Sequence, residues 1–138
     1  MCIRDSPAFF APHTAYTLAK YAMSVYAMAM AVEFKRDGIA FNTLWPRTMI
    51  ATAALQAIPG AGQVVDQSRT PAIMADAAHV MLTRDSRAFT GQHCIDDRVL
   101  AADGVTDFSA YRVKAGTAPL VDDLFIPDSM PPPDGIIV

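Results

Sequence analysis

Residues 15–20 read Ala15-Tyr16-Thr17-Leu18-Ala19-Lys20 and head an apolar run that extends to Val32. In a helix four residues turn the chain by about 400°, so Tyr16 and Lys20 stand roughly 40° apart on one face. A phenol beside an ammonium is a useful proton-transfer pair, because a nearby positive charge favours the phenolate. The same spacing also fits an amphipathic helix whose tyrosine packs and whose lysine is solvated. Tyr-x-x-x-Lys is common by chance in a chain of this length, so its surroundings must decide.

Outward from that pair, the sequence is helical in character from Ala15 to about Arg36, with Thr14 in the N-cap position. Leu18, Ala22, Val25, Ala29 and Val32 form one apolar row, widened by Met23, Ala27 and Met30. Such a pattern predicts a helix buried on more than one side. Charged residues close the run, and Gly38 occupies the place of a C-terminal glycine. Residues 39–45 are nearly all apolar and end at Pro46, as in a strand buried on both faces of a parallel sheet. Helix, glycine turn and strand in succession make half of a βαβ unit. Ligands of such sheets bind beyond the carboxyl ends of the strands, so residues 46–52 form a candidate site wall.

Residues 48–58 read either as a flap over that site or as a short connecting helix. Thr70-Pro71 marks a second helix start, with Ile73, Ala77, Val80 and Met81 as its apolar stripe and an end near Arg84. Residues 89–95 are the second strand candidate, with Gly91 at a close backbone approach. Asp96-Asp97 reads as a strand-end turn. Beyond it, residues 99–138 carry many Gly and Pro with little periodicity, which predicts an irregular extension that wraps the domain or frays.

The totals narrow the class. With 138 residues, 52% hydrophobic and 18% charged, the chain suits one folded domain with a core of useful size. A net charge of −3 and scattered Lys and Arg give no electrostatic reason to expect nucleic acid. The longest charge-poor run, residues 21–32, is too short for a membrane span, and no signal peptide is visible. Two cysteines, Cys2 and Cys94, make no disulfide framework, so a reduced, cytoplasmic setting is the expectation. His79 and His93 lack partners at metal-ligand spacing, so no metal site is expected. Cys94 reads as a small hydrophobe, and His13 as a helix-start residue or one that shapes the site.

Met1-Cys2-Ile3-Arg4-Asp5-Ser6 back-translates to a string that resembles the transposase end sequence used in preparing DNA sequencing libraries. Residues 1–6 are therefore expected to be a translated adapter, with the 5′ part of the gene lost, and they are set aside from fold reasoning.

Four motifs then fall in order: the Tyr16–Lys20 helix, Ile39-Ala40-Phe41-Asn42-Thr43-Leu44-Trp45-Pro46, Thr70-Pro71-Ala72-Ile73-Met74-Ala75-Asp76-Ala77-Ala78, and Phe89-Thr90-Gly91-Gln92. This order resembles the C-terminal half of a short-chain dehydrogenase/reductase. Within that superfamily it is similar to the hydroxysteroid dehydrogenase-like protein 2 group, from about Pro7 to about Phe125. Phrases such as His13-Thr14-Ala15-Tyr16-Thr17, Asn42-Thr43-Leu44-Trp45-Pro46-Arg47-Thr48 and Phe89-Thr90-Gly91-Gln92-His93-Cys94-Ile95-Asp96-Asp97 carry the likeness, as does the tail around Gly104-Val105-Thr106-Asp107-Phe108.

The resemblance implies an α/β fold: the C-terminal part of a doubly wound, Rossmann-type parallel sheet whose first half is missing. On this view residues 7–98 are the dehydrogenase half-domain and 99–138 the irregular extension. It implies a nicotinamide cofactor, NAD or NADP, and a small-molecule alcohol or carbonyl substrate. Tyr16 is then the acid/base at the substrate oxygen. Lys20 holds the nicotinamide ribose and lowers the tyrosine's pKa; a cation a few ångströms away supplies several kcal/mol at intermediate dielectric, against about 1.4 per pKa unit. Pro46, Arg47, Thr48 and Met49 line the nicotinamide pocket. A homo-oligomer is implied through the Tyr16 helix, packed against its mate in a four-helix interface.

The loop departs from the general family pattern. Pro46 is followed by Arg47 instead of glycine, and position 51 is Ala where a threonine is usual, with threonines at 48 and 52. Thr48 therefore stands as a candidate without a firm role. Arg47 either contacts a phosphate or substrate carboxylate or is a surface arginine. The family's glycine-rich phosphate loop is absent, and Gly60-Ala61-Gly62 is no substitute because it follows a helix. The catalytic serine is expected off the chain; Ser6 lies too near Tyr16 and within the adapter.

Two readings follow. One is a nicotinamide-dependent oxidoreductase; the other is a truncated, non-catalytic fragment able only to associate, because the 39–45 strand would keep one unpaired edge. Upstream DNA is expected to encode a glycine-rich loop and a serine, whereas a clean start codon and ribosome site at Met1 would contradict truncation.

Overall fold

The computed structural model describes residues 11–124, 126 and 130–135. Residues 1–6, expected to be an adapter and holding Cys2 and Ser6, residues 7–10 of the expected connecting segment, and Phe125 and Pro127 of the tail lie outside the described residues. The chain is an α/β structure. A short 3₁₀ turn, Ala11–His13, leads into helix α1, Thr14–Glu33. Strand β1, Thr43–Trp45, follows, then helices α2, Ala53–Gln56, α3, Gly62–Asp66, and α4, Ala72–Leu82. Strand β2, His93–Ile95, runs directly into helix α5, Asp96–Ala102, and a 3₁₀ turn, Ser109–Tyr111, lies beyond it.

The strands are parallel, with Thr43 opposite His93, Leu44 opposite Cys94 and Trp45 opposite Ile95. A parallel pair requires a long crossover, which α2, α3 and α4 provide. The expected strand at 39–45 shrinks to its last three residues. Residues 41–42 are instead clamped to the Phe89-Thr90-Gly91-Gln92 stretch. Phe41 N–H donates to Thr90 Oγ1 at 3.1 Å, and Asn42 donates to Phe89 O at 3.0 Å while accepting from Gln92 N–H at 2.9 Å. Gly91 donates to Phe41 O at 2.8 Å with φ +71°, so its left-handed turn, rather than crowding, calls for glycine. β1 is also half-buried rather than buried on both faces, because among the described residues it pairs only with β2.

The core forms where α4 meets α5. Ile73, Ala77, Val99, Leu100 and Phe108 are buried together, with Leu44, Val80 and Met81 packed on them. The predicted α4 stripe thus faces inward, as its i, i+4, i+8 spacing requires. The helix begins after Pro71, which occupies the cap position assigned to Thr70 in the sequence, and it ends at Leu82 rather than Arg84.

Helix α1 departs most from expectation. Its predicted apolar row is solvent-exposed: Leu18 is 65%, Val25 54% and Val32 77% exposed. The buried positions are Thr17, Ser24 and Ala31, seven residues apart. The helix rests on the sheet through this narrow small-residue line, and no described residue covers the broader apolar side. The turn after α1 ends at Gly38, φ +73°, where a Cβ would lie 2.6 Å from the Arg87 guanidinium carbon.

The chain beyond Asp97 is more ordered than its composition predicts. α5 crosses position 98, so no break in structure falls there. Residues 111–113 and 121–123 then lace onto the 47–51 and 67–70 segments through Thr70 N–H to Tyr111 O, Val121 N–H to Gln67 O and Asp123 N–H to Arg47 O, all 2.7–2.9 Å.

Candidate active site

Two turns at the start of α1 bring Tyr16 and Lys20 to a cavity of about 310 Å³. Ser24, Thr43, Trp45, Pro46 and Asp123 are among its other walls. It lies at the carboxyl end of β1, where parallel strands present ligands. Lys20 Nζ sits 5.4 Å from the Tyr16 ring centroid, a cation–π contact made possible by the i, i+4 spacing. The Tyr16 side chain is half exposed.

Its phenol is held above the ordinary tyrosine pKa, first by burial and then by the charge of Asp123. The expected lowering by Lys20 is not among the causes of that shift. The ammonium lies over the ring, while desolvation and a nearby carboxylate both disfavour the phenolate.

The loop after β1 is arranged differently from its sequence reading. Pro46 lines the cavity, but Arg47 and Thr48 are buried. Arg47 N–H donates to Asp96 Oδ1 at 3.0 Å, its Nε pairs with Asp97, and its Nη1 donates to Met130 O at 2.7 Å. The side chain is therefore neither on the surface nor turned toward the cavity. Thr48 bridges to Asp122, and Met49 N–H donates to Val121 O at 2.8 Å. The backbone donors of residues 47 and 49, expected to face a nicotinamide, are thus engaged within the protein.

Asp96 and Asp97 are not a surface turn. Both are fully buried in the first turn of α5, where carboxylates complement the helix dipole. Asp96 Oδ1 accepts from the Arg47 and Asp97 N–H groups. Burial nevertheless pushes its carboxyl up to about 6, against the pull of those two hydrogen bonds. Arg69 is fully buried nearby with its guanidinium 5.5 Å from the Phe108 ring centroid; burial lowers its pKa, and Asp96 and Asp97 oppose that. Two arginines and two aspartates thus form one buried cluster beneath the site loop.

Sequence reasoning missed Asp123, Arg69 and the pairing of Arg47 with Asp97. For Asp97 a signal exists: Asp96-Asp97-Arg98-Val99-Leu100-Ala101-Ala102-Asp103-Gly104 has acids at its head, apolar residues inside and glycine at its end, which is a helix pattern. Asp123 carries no local signal, because only the fold brings it to Tyr16. Cys94 is partly buried on β2, and burial raises its thiol pKa. Among the described residues no group of three or more His, Cys, Asp or Glu is placed to hold a metal ion, and no helix is long and apolar enough to cross a membrane.

Comparison with known proteins adds a family context. No protein-family model matches the chain. Hydroxysteroid dehydrogenase-like protein 2 of Xenopus tropicalis is 45% identical over 124 residues, 90% of this chain and 29% of the relative. The human protein of that name is 43% identical over 121 residues, 88% of this chain and 28% of the relative. A dehydrogenase structure from Xanthomonas campestris superposes with a TM-score of 0.80 at 48% identity, over 90% of this chain and 44% of that one. A short-chain dehydrogenase from Mycobacterium thermoresistibile gives 0.79 at 42% identity, over 94% and 45%. The chain is homologous to hydroxysteroid dehydrogenase-like protein 2 and shares the α/β fold of short-chain dehydrogenase structures. It spans less than a third of the length of those curated relatives.

A nicotinamide cofactor is general to short-chain dehydrogenases, so the site can be tested for fit. The Tyr16 hydroxyl and Lys20 ammonium are a donor pair suited to ribose hydroxyls. The 47–49 loop has turned its donors inward, and Gly60-Ala61-Gly62 connects α2 to α3 rather than a strand to a helix. The residues present fit the ribose end of such a cofactor and not its phosphates.

Proposed function

We propose that this chain carries the proton-transfer end of a short-chain dehydrogenase-type oxidoreductase acting on an alcohol or carbonyl. It is the C-terminal part of a doubly wound sheet, in which the half-domain runs past position 98 through α5 and the remaining residues are its extension. The observation that carries this reading is the Tyr16–Lys20 pair, stacked at a cavity beyond β1. Tyr16 is the acid/base, and Lys20 holds the ribose of NAD or NADP and stabilises the phenolate. A bound nicotinamide supplies or accepts the hydride.

The chain's own chemistry concerns the proton. With its pKa above the ordinary tyrosine value, Tyr16 stands as a neutral phenol near pH 7 and is set to donate its proton to a carbonyl oxygen. The charge left on the phenolate oxygen is then offset by Lys20, one helical turn away. Of the loop residues, Pro46 shapes the cavity wall. Arg47, Thr48 and Met49 act from behind by fixing the loop. In the protein extended upstream to the length of its relatives, Tyr16→Phe should abolish hydride transfer while sparing cofactor binding. Retained turnover would refute the tyrosine's role.

A second reading, a non-catalytic fragment that only associates, is favoured by the exposed Leu18–Val25–Val32 row and by β1 pairing, among the described residues, with β2 alone. It predicts no saturable binding when the 138-residue chain is titrated with NADH and NADPH. A micromolar Kd would overturn it.

A further inference from the structure

We propose that Arg69 is a two-position switch beneath the loop that follows β1: it lies over the Phe108 ring while Asp96 carries a proton, and moves onto Asp96 when that proton is lost, resetting the loop. The inference goes beyond the oxidoreductase reading and does not depend on it, since the switch is followed by spectroscopy and not by turnover.

Both side chains are buried with unused hydrogen-bonding capacity. Asp96 Oδ1 accepts from Arg47 N–H at 3.0 Å and from Asp97 N–H at 2.7 Å, but its Oδ2 has no hydrogen-bond partner among the described residues. Arg69 is fully buried, and none of its three guanidinium nitrogens has such a partner either. What faces the guanidinium is the Phe108 ring, with its centroid 5.5 Å from the central carbon. A buried cation without hydrogen bonds is costly, so a carboxylate within its reach draws it.

The groups that act on Asp96 come from three segments. Asp97, on its own helix, opposes ionisation by charge, whereas Arg69, from the segment before α4, favours it. Arg47, from the loop, favours it through its backbone N–H, while its side chain is committed to Asp97 and to Met130 O. Arg112, bridged antiparallel to Arg69, acts on Arg69, and β2 brings only the Cys94 thiol, itself held up by burial. With Asp97 spent on Arg47, Arg69 gains a carboxylate of its own only when Asp96 ionises. Burial moves that event from the ordinary carboxylate range up to about 6.

The movement reaches the loop because Arg69 is stitched to it. Arg69 N–H donates to Met49 O at 3.0 Å, and Ala51 N–H donates to Arg69 O at 2.9 Å. Ionisation also strengthens the bond from Arg47 N–H to Asp96, since an ionised acceptor makes a stronger hydrogen bond. Pro46, which precedes Arg47, lines the cavity. Both ends of the 47–51 loop therefore answer to one proton.

NMR of the 138-residue chain, titrated from about pH 4 to about pH 8, tests this. The Arg47, Ala51 and Asp97 amide protons and the Phe108 ring protons should shift together through one midpoint near 6. Asp96→Asn should remove every one of these transitions. Arg69→Met should remove those of Phe108 and Ala51 and raise the midpoint of the other two, because the Arg69 charge lowers the Asp96 pKa. His13→Gln, His79→Gln and His93→Gln should leave all of them in place, although imidazole also changes charge in this range. Arg47 and Asp97 amides that titrate while the Phe108 ring stays fixed overturn the switch, as does a Phe108 transition that persists in Arg69→Met. A midpoint that survives Asp96→Asn, or that vanishes with a histidine, assigns the proton elsewhere and overturns it too. If no signal moves in the unaltered chain, Asp96 does not change its proton over this range and the proposal fails.

Discussion

Asp96 is a carboxyl buried with one oxygen satisfied by two N–H groups and the other, Oδ2, without a hydrogen-bond partner. Burial pushes its pKa up from 3.8 to about 6. Between those values the folded chain retains a proton that the unfolded chain has lost. The group's stabilising contribution is therefore full below about pH 4 and is lost as pH rises through about 6, an effect of up to about 3 kcal/mol. Urea unfolding should show this as a midpoint higher at pH 5 than at pH 7. A midpoint that fell on acidification over that range would contradict the assignment. Asp97 is paired with Arg47. Removing one member of a buried pair strands the other's charge, so Asp97→Ala should cost about 3–5 kcal/mol in the same assay. At this scale the sequence was legible for Tyr16 and Lys20, whose meeting needs only a helix. It was silent on Asp123, and it suggested the wrong surroundings for Arg47, because both depend on contacts made between distant segments.

The elements divide by what periodicity can report. The α4 stripe of Ile73, Ala77, Val80 and Met81 was readable because the helix buries one face against α5. Ile73 is fully buried, so Ile73→Ala should destabilise the chain by about 2–5 kcal/mol in thermal or urea unfolding. Apolar periodicity in α1 was equally plain, yet its row points to solvent. A hydrophobic row marks a face that seeks cover; it does not say whether the same chain provides it. A double substitution, Val25→Glu with Val32→Lys, should leave folding stability within about 0.5 kcal/mol, as exposed positions do. It should also lower any self-association seen by sedimentation; a large loss of stability would show that the row is packed after all. α5 was missed because Asp-Asp after a strand also fits a turn, and only the burial of both carboxylates makes it a helix start.

At the scale of the whole molecule, the described residues form a two-stranded parallel sheet with one long helix laid on it, one compact helical core and a tail stitched across the loop that follows β1. The α/β class was legible from the alternation of helix, glycine turn and apolar strand. Strand lengths were not, since a three-residue pairing and a seven-residue apolar run look alike in sequence. The long tail was read as irregular for want of periodicity, whereas its order comes from backbone bonds to the loop that any residue type can make. Tyr16, Lys20, Pro46 and Asp123 come together only in this assembled form. The most direct test is therefore catalytic. In the protein extended upstream to the length of its relatives, carbonyl reduction is followed by loss of NADH or NADPH absorbance, comparing the unaltered protein with Tyr16→Phe. A loss of turnover of at least about 100-fold with unchanged nucleotide affinity is predicted for one missing general acid. Turnover within a few-fold of the unaltered protein would contradict the assignment of Tyr16 as the proton donor.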